Sequence, residues 1–217
     1  MALSETARRW AWLIEAQRAL PKSKREYDAV HVNSIEKDGD GLVVSMRHTD
    51  SVYRIDRATG RIDWKLGGSR TKKSLTILGD PNYGSSSFGG QHDARILPDG
   101  TLTVYDNGSE RDRPPRLLRF RIDAARGTAT LLEELTDPDV PESRWQGGTR
   151  KLPGGNWVTS WASWPYVTEM TPAGERVLRL TFFGVVPAYR AVPVPFGVIG
   201  ADRLRRAMDK MHPRGGT

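Results

Sequence analysis

The sequence predicts an all-β fold made of β-propeller blades, and two observations support that prediction. A pattern of four short β-like runs separated by glycine-containing turns occurs three times along the 217 residues. The two turn glycines are 19 residues apart in the first unit (positions 41 and 60) and in the third (155 and 174), and 27 apart in the second (100 and 127), where an insert of eight residues accounts for the difference. Four antiparallel strands in a unit of about 40–50 residues form a propeller blade, so we expect about three blades.

Residues 1–26 are predicted to form a short N-terminal helix and a linker, because Trp10, Leu13 and Ile14 recur near helical spacing. This helix cannot supply further strands. The stretch from Met1 to Glu15 has charged residues before a very short apolar run and lacks the cleavage site of a secretory leader. As it stands, the sequence therefore predicts a cytoplasmic protein.

The blades are predicted over residues 27–199. The first has runs at 31–35, 42–47, 52–56 and 61–66, and the second has runs at 92–97, 101–105, 117–123 and 128–135. In the second blade, the polar insert Gly108–Pro115 indicates a loop between the middle strands. The third blade has runs at 147–152, 156–161, 166–170 and 175–180.

Two segments are predicted outside the strands. Residues 69–90, rich in Gly and Ser, are expected to form a long loop or lid. Residues 200–217 are expected to form a basic C-terminal helix and tail.

Three blades are too few for a closed propeller, which needs about four to eight. We therefore expect a partial propeller, whose edges are covered either by missing N-terminal blades or by a second copy in a homo-oligomer. An open sandwich of the same strands is the alternative architecture, since strand counts do not distinguish the two.

Composition excludes several classes of function. The chain has 33 Lys and Arg against 26 Asp and Glu, a net charge of +7, which suggests an anionic partner. Because the basic residues are scattered and no nucleic-acid-binding motif accompanies them, a small anionic substrate fits better than nucleic acid. The apolar stretches are too short to span a membrane. The chain has no cysteine, which excludes disulfides and thiolate catalysis. We expect neither a metal nor a cofactor.

An ordered series of motifs resembles the arylsulfotransferase family of bacterial type. It extends from about Tyr27 to Phe196 and comprises the segments 27–35, 45–56, 60–68, 91–95, 105–108 and 189–191. The resemblance implies a six-bladed propeller of which this chain is the C-terminal part. It also implies transfer of a sulfuryl group from a phenolic sulfate ester to a phenol, without a nucleotide donor, through a transiently sulfurylated histidine. Intact relatives include candidates for export.

Topology and this resemblance together give the candidate site. In an up-and-down blade, the start of the first strand and the end of the second strand lie at the same end of the central channel. We expect the catalytic residues to be His92, as nucleophile or sulfuryl binder, and His31. Guanidinium groups match the oxygens of a tetrahedral anion, so the predicted substrate-binding residues are Arg47 and Arg116, with hydrogen bonds from Asn33 and Asn107. Turn capping is the alternative role of the two asparagines.

One departure from the family leaves alternatives open. Well-studied members sulfurylate a further histidine in a later blade, but the equivalent position here is near Gly147, beside Gln146. Either His92 carries the sulfuryl group, or the chain is a non-catalytic propeller fragment, a binding module or gene remnant that has lost transfer activity. A quinone-binding propeller is a third reading, since Gly60 and Trp64 have the spacing of such blades, although only once.

Overall fold

The computed structural model describes residues 28–82, 88–183, 188–195 and 197–211. In this part of the chain, the first sheet consists of β1 (Val32–Asp38), β2 (Gly41–Met46), β3 (Ser51–Asp56) and β4 (Ile62–Gly67). The second contains β5 (Thr76–Leu78), β6 (His92–Ile96), β7 (Thr101–Asp106), β8 (Arg116–Asp123) and β9 (Thr128–Leu135). The third consists of β10 (Gly148–Lys151), β11 (Trp157–Ser160), β12 (Tyr166–Met170) and β13 (Arg176–Thr181). Helix α1 covers Ala201–Met211.

The strands confirm the predicted blades. In the first and third sheets the spatial order of the strands follows the chain, and every neighbouring pair is antiparallel. Such meanders form because short glycine turns join consecutive strands; Gly155, for example, has a φ of 92°. The predicted loop between the middle strands of the second blade is also present, since residues 107–115 separate β7 from β8. The fold is therefore all-β, with three blades.

The predicted long loop over residues 69–90 is partly wrong. Residues 76–78 form β5, which pairs in parallel with β9 and adds a fifth strand to the second blade. The reason is packing, because Ile77 is 3% exposed and belongs to the core between the first two blades. Since β5 lies at the edge of the sheet opposite β6, it does not cover the first strand. Residues 83–87 of the proposed lid lie outside the described residues.

Two apolar cores hold the blades face to face. One lies between the first and second blades and contains Trp64, Phe88 and Phe120. The other lies between the second and third blades and contains Tyr105, with the edge of the Trp161 ring against it at 6.0 Å between ring centroids. Burial of large aromatic side chains removes much apolar surface from water, so these interfaces stabilise the stack strongly. Trp64, whose spacing from Gly60 suggested a quinone-binding blade, thus packs in the apolar core.

The first strands of the three blades lie on the inside of the stack. β1 contacts β6, and β10 contacts both β6 and β7. This arrangement is that of propeller blades around an axis, so residues at the starts of β1, β6 and β10 approach one another. The outward sides of the end blades remain apolar and exposed, with Ile35 in β1 58% exposed and Val177 in β13 56% exposed.

The termini add little to the described structure. The predicted N-terminal helix lies outside the described residues. Helix α1 has no buried residue, in agreement with its basic, polar sequence. None of the helices in the described ranges is long and apolar enough to cross a membrane.

Candidate active site at the first strands

His92 begins β6 and is 1% exposed. The backbone around it is unusual, because Gly90 has a φ of 62° and Asp93 a φ of 56°. Left-handed conformations are rare for residues with a side chain and often occur at functional sites. The turned backbone directs the carbonyl of Gly90 back onto the imidazole of His92.

Hydrogen bonds fix the tautomer of His92. The side-chain nitrogen of Asn107 donates to the carbonyl oxygen of Gln146 over 2.8 Å, which sets the orientation of the amide. Asn107 Oδ1 therefore faces His92 Nδ1 at 2.7 Å, and the carbonyl oxygen of Gly90 lies 2.9 Å from the same nitrogen. Both are acceptors, so Nδ1 carries the proton. The lone pair is then on Nε2, to which no described residue donates a hydrogen bond.

The environment keeps this imidazole neutral. Burial lowers the pKa of His92 to about 4, although the hydrogen bonds to Asn107 and Gly90 act in the opposite direction. Electrostatic interactions with Arg47 and His31 lower the pKa of His92 further. At neutral pH, His92 is therefore an unprotonated base with a defined nucleophilic nitrogen.

Arg47 follows the end of β2 and reaches across the stack. Its Nη2 donates to the carbonyl oxygen of Arg144 over 2.9 Å, in the segment that joins the second and third blades. Its Nε is buried and makes no hydrogen bond to the described residues. Arg47 therefore presents positive charge and an unused donor near His92, an arrangement that suits an anion.

The structure places His31 differently from His92. It precedes β1 with a φ of 51°, its side chain is 44% exposed, and its Nδ1 hydrogen-bonds to Asp28 Oδ2. The ring of His48 lies beside it, with 4.9 Å between the ring centroids. His31 also interacts electrostatically with His92 and lowers its pKa. Of the two predicted catalytic histidines, His92 is thus buried and His31 lies at the surface.

Arg116, predicted to bind the substrate, lies in a buried cluster of carboxylates. Its side chain is 2% exposed, and its guanidinium donates to Asp80 at 2.9 Å, to Asp106 at 2.9 Å and to Glu134 at 3.1 Å. A buried arginine requires such carboxylates to offset its desolvation. Arg116 therefore forms structural ion pairs, which join β8 to β7 and to the segment after β5.

The two predicted asparagines both donate hydrogen bonds within the protein. Asn107 uses its amide to orient His92 and to hold the strand connection through Gln146 and Ser143. Asn33 Nδ2 donates to the carbonyl oxygen of Gln91 over 2.7 Å, which ties β1 to the start of β6. The Oδ1 of Asn33 is buried without a partner among the described residues.

Two residues of the C-terminal segment, which were not predicted to belong to the site, also reach it. The edge of the Tyr189 ring packs against His92, with 6.2 Å between centroids, and Arg190 donates to the carbonyl oxygen of Asn33. The buried carboxylate of Asp93 accepts hydrogen bonds from Arg95 and Arg150. Residues 189 and 190 belong to the last motif of the ordered series, which was the available signal, but their position was not predictable from spacing.

Polar atoms without partners concentrate around these first strands. Among the described residues, they include Asn33 Oδ1 and Arg47 Nε of the first blade, Gln91 Oε1 of the second and Gln146 Oε1 leading into the third. Buried polar groups are normally hydrogen-bonded, so such a cluster indicates a place where a polar ligand or solvent is bound. The three blades contribute to it jointly.

Solved structures give distant similarities. The chain is 16% identical to a protein of unknown function from Bacteroides caccae, over 75% of this chain and 50% of that one, with a TM-score of 0.45. For virginiamycin B lyase from Staphylococcus aureus the identity is 14%, over 73% and 43%, with a TM-score of 0.43. For the β-propeller domain of Cps50 (Swd1) from Myceliophteria thermophila the identity is 16%, over 69% and 40%, with a TM-score of 0.44. The chain thus spans at most half the length of these structures.

Sequence comparison identifies the family. No curated protein matches the chain significantly. The arylsulfotransferase (ASST) family profile, however, matches residues 12–183, which is well over half of the 217 residues. The match includes the described strands β1–β13 and the residues His31, Arg47 and His92. The chain therefore belongs to the arylsulfotransferase family.

Proposed function

We propose that this chain provides the transfer site of an arylsulfotransferase, which moves a sulfuryl group from a phenolic sulfate ester to a phenol through His92. The observation that carries the proposal is the state of His92, whose Nδ1 proton is held by Asn107 and Gly90 while burial keeps the ring neutral. A neutral imidazole with one fixed proton is a competent nucleophile near pH 7.

The reaction then has two displacements. In the first, His92 Nε2 attacks sulfur, the bond from sulfur to the phenolic oxygen breaks, and the phenolate leaves with a proton supplied by His31 or by water. In the second, the acceptor phenol gives its proton to the same base and attacks sulfur, and the bond to Nε2 breaks. In the sulfurylated intermediate the ring is an imidazolium and the sulfonate is anionic, and the acceptors on Nδ1 stabilise the cationic ring.

Arg47 is proposed to bind the sulfuryl oxygens. Sulfuryl transfer, like phosphoryl transfer, leaves the charge on peripheral oxygens, and a positioned guanidinium stabilises that charge. The unused Nε and the electrostatic effect of Arg47 on His92 support this role. Tyr189 packs against the imidazole, and we propose that it contacts the aromatic ring of the donor or acceptor.

The complete site is proposed to need more than these three blades. Apolar side chains exposed on the end blades, Val32 and Ile35 on one side and Leu178 and Leu180 on the other, support further blades or a second copy there. Light scattering on the purified chain distinguishes the two, because a second copy doubles the mass of 24.2 kDa. If the folded chain is strictly monomeric, a second copy is excluded, and the proposal is then that further blades close the propeller.

The direct test is release of 4-nitrophenol from 4-nitrophenyl sulfate with a phenol acceptor, measured on this chain and on a version extended upstream. His92→Asn is the informative variant, because its amide can still donate where Nδ1 does. His212→Ala is the matched control, since no role is assigned to that residue. We expect turnover that His92→Asn abolishes and His212→Ala preserves. Absence of turnover in both folded versions would contradict the proposal and leave a ligand-binding propeller.

A further inference from the structure

The second histidine cluster lies beside the proposed transfer site. Asp28, His31 and His48 each offer a ligand atom, and these atoms all lie within 4.8 Å of one another. Sequence spacing gave no sign of the cluster, because a β2 strand continued past Arg47 would direct the side chains of Arg47 and His48 to opposite faces. Instead β2 ends at Met46, and the residues 47–49 form a 3₁₀ turn that brings His48 next to His31.

Asp28 orients both imidazoles. Its carbonyl oxygen lies 2.7 Å from His48 Nδ1, and since a carbonyl oxygen can only accept, that nitrogen carries the proton. Its carboxylate accepts from His31 Nδ1 and also from the backbone N–H of His31, at 2.8 Å. Both rings therefore keep their Nε2 atoms free of hydrogen bonds to the described residues.

This pattern is the one that surrounds metal-bound histidines. A histidine that ligates through Nε2 usually donates its Nδ1 proton to a carboxylate or to a backbone carbonyl, and that bond fixes the ring and raises its basicity. Here one residue supplies both acceptors. The side chains of His31 and Asp28 are 44% and 50% exposed, so an ion could enter and keep water or a ligand in its remaining positions.

We propose that His31 and His48 bind a divalent transition-metal ion of the zinc type through their Nε2 atoms, with Asp28 as the orienting carboxylate. Imidazole ligands suit Zn²⁺, Ni²⁺, Co²⁺ and Cu²⁺, whereas Mg²⁺ and Ca²⁺ prefer oxygen. The site is separate from the sulfuryl carrier, because His92 uses its own acceptors, Asn107 and Gly90. While an ion occupies Nε2 of His31, water supplies the proton to the leaving phenolate.

Zinc titration of the full chain, prepared without a polyhistidine tag, tests the proposal by competition with a chromogenic chelator. We expect one Zn²⁺ per chain and no competition by millimolar Mg²⁺. His48→Ala and His31→Asn should each weaken binding at least about tenfold, and Asp28→Ala by about tenfold, as for other residues that orient a metal ligand. Asparagine is chosen at position 31 because it tolerates the left-handed backbone there. His212→Ala is the control.

A second measurement assigns the ligands directly. The chain has four histidines, so ¹⁵N-histidine labelling gives four pairs of imidazole signals. We expect Zn²⁺ to shift the Nε2 signals of His31 and His48 and to leave that of His212 unchanged. Equal loss of affinity in His212→Ala, or retained stoichiometric binding in the folded His48→Ala variant, would overturn the proposal. So would the absence of any one-to-one binding. None of these outcomes depends on sulfuryl transfer.

Discussion

Asn107 Oδ1 accepts the Nδ1 proton of His92 over 2.7 Å, and the opposite end of the same amide is held by the carbonyl of Gln146. The second blade thus supplies the imidazole, and the segment leading into the third blade sets its tautomer. A histidine in the third blade is not needed for this arrangement, because Gln146 contributes through its main chain.

Removing the amide of Asn107 is expected to lower turnover without preventing folding. In Asn107→Ala, His92 Nδ1 keeps only the carbonyl of Gly90, so the tautomer with a free Nε2 is less favoured. We expect kcat to fall at least about tenfold, as for other residues that orient a reactive imidazole. Asn156→Ala is the matched control, because Asn156 bonds to Glu169 in a turn of the third blade. Equal kcat values for both variants would contradict the role of Asn107.

The pH dependence of stability should report the buried neutral imidazole. The pKa of His92 is lowered from 6.5 to about 4, so below pH 6.5 the unfolded chain binds a proton that the folded chain does not. Stability contributed by this group is therefore lost as the pH falls from about 6.5 to 4. Between pH 7 and 4.5, the wild type should lose on the order of 2 kcal/mol more than His92→Asn. Urea unfolding at the two pH values measures this difference, and identical losses would show that the folded imidazole titrates normally.

Substitution of Arg47 should mainly affect the sulfate group of the donor. Arg47→Ala removes a charge-assisted hydrogen bond donor, and Arg47→Lys restores the charge but not the planar fork. We expect kcat/KM for an aryl sulfate to fall about 10–100-fold in the alanine variant, with only partial recovery in the lysine variant. Arg126→Ala is the control, since Arg126 is an exposed arginine paired with Asp123. A lysine variant with full activity would show that only net charge matters.

The approach of the third blade to Tyr105 should make Gly147 intolerant of a side chain. Gly147 has a φ of 89°, and a Cβ there would collide with the Tyr105 ring. Gly127 also has a positive φ, of 65°, but a Cβ at that position meets no atom within 4 Å. In both variants alanine is strained by the positive φ, so only the collision with Tyr105 distinguishes them. Gly147→Ala should therefore be less stable than Gly127→Ala by about 1–3 kcal/mol. Equal melting temperatures would mean that the blades are not packed as described.

Much of the fold was predictable because blades are local structures. Alternating runs and turn glycines fix each meander within about 45 residues. The observed strands start and end within one residue of the predicted ones, except that β1 ends three residues later than predicted. β5 was missed because a three-residue strand has too little periodicity to recognise. Its placement depends on the burial of Ile77 against the neighbouring blade.

The candidate site was predictable only in part. His92 and Arg47 follow from blade topology, which places strand starts and strand ends together. The structural role of Arg116 depends on Asp80, 36 residues away in the sequence, and that of Asn107 depends on Gln146, 39 residues away. Tyr189 reaches His92 from a segment beyond the third blade. Such contacts are set by packing of whole blades, which spacing in the sequence does not reveal.

The central claim, that His92 carries the sulfuryl group, is tested most directly by mass spectrometry of the chain after brief reaction with an aryl sulfate and no acceptor. Peptides prepared at alkaline pH preserve an acid-labile bond between nitrogen and sulfur. We predict one added sulfuryl group on the peptide containing His92, absent in His92→Asn and removed when a phenol is supplied. A sulfuryl group on another residue, or turnover with an unmodified His92 under the same conditions, would contradict the account.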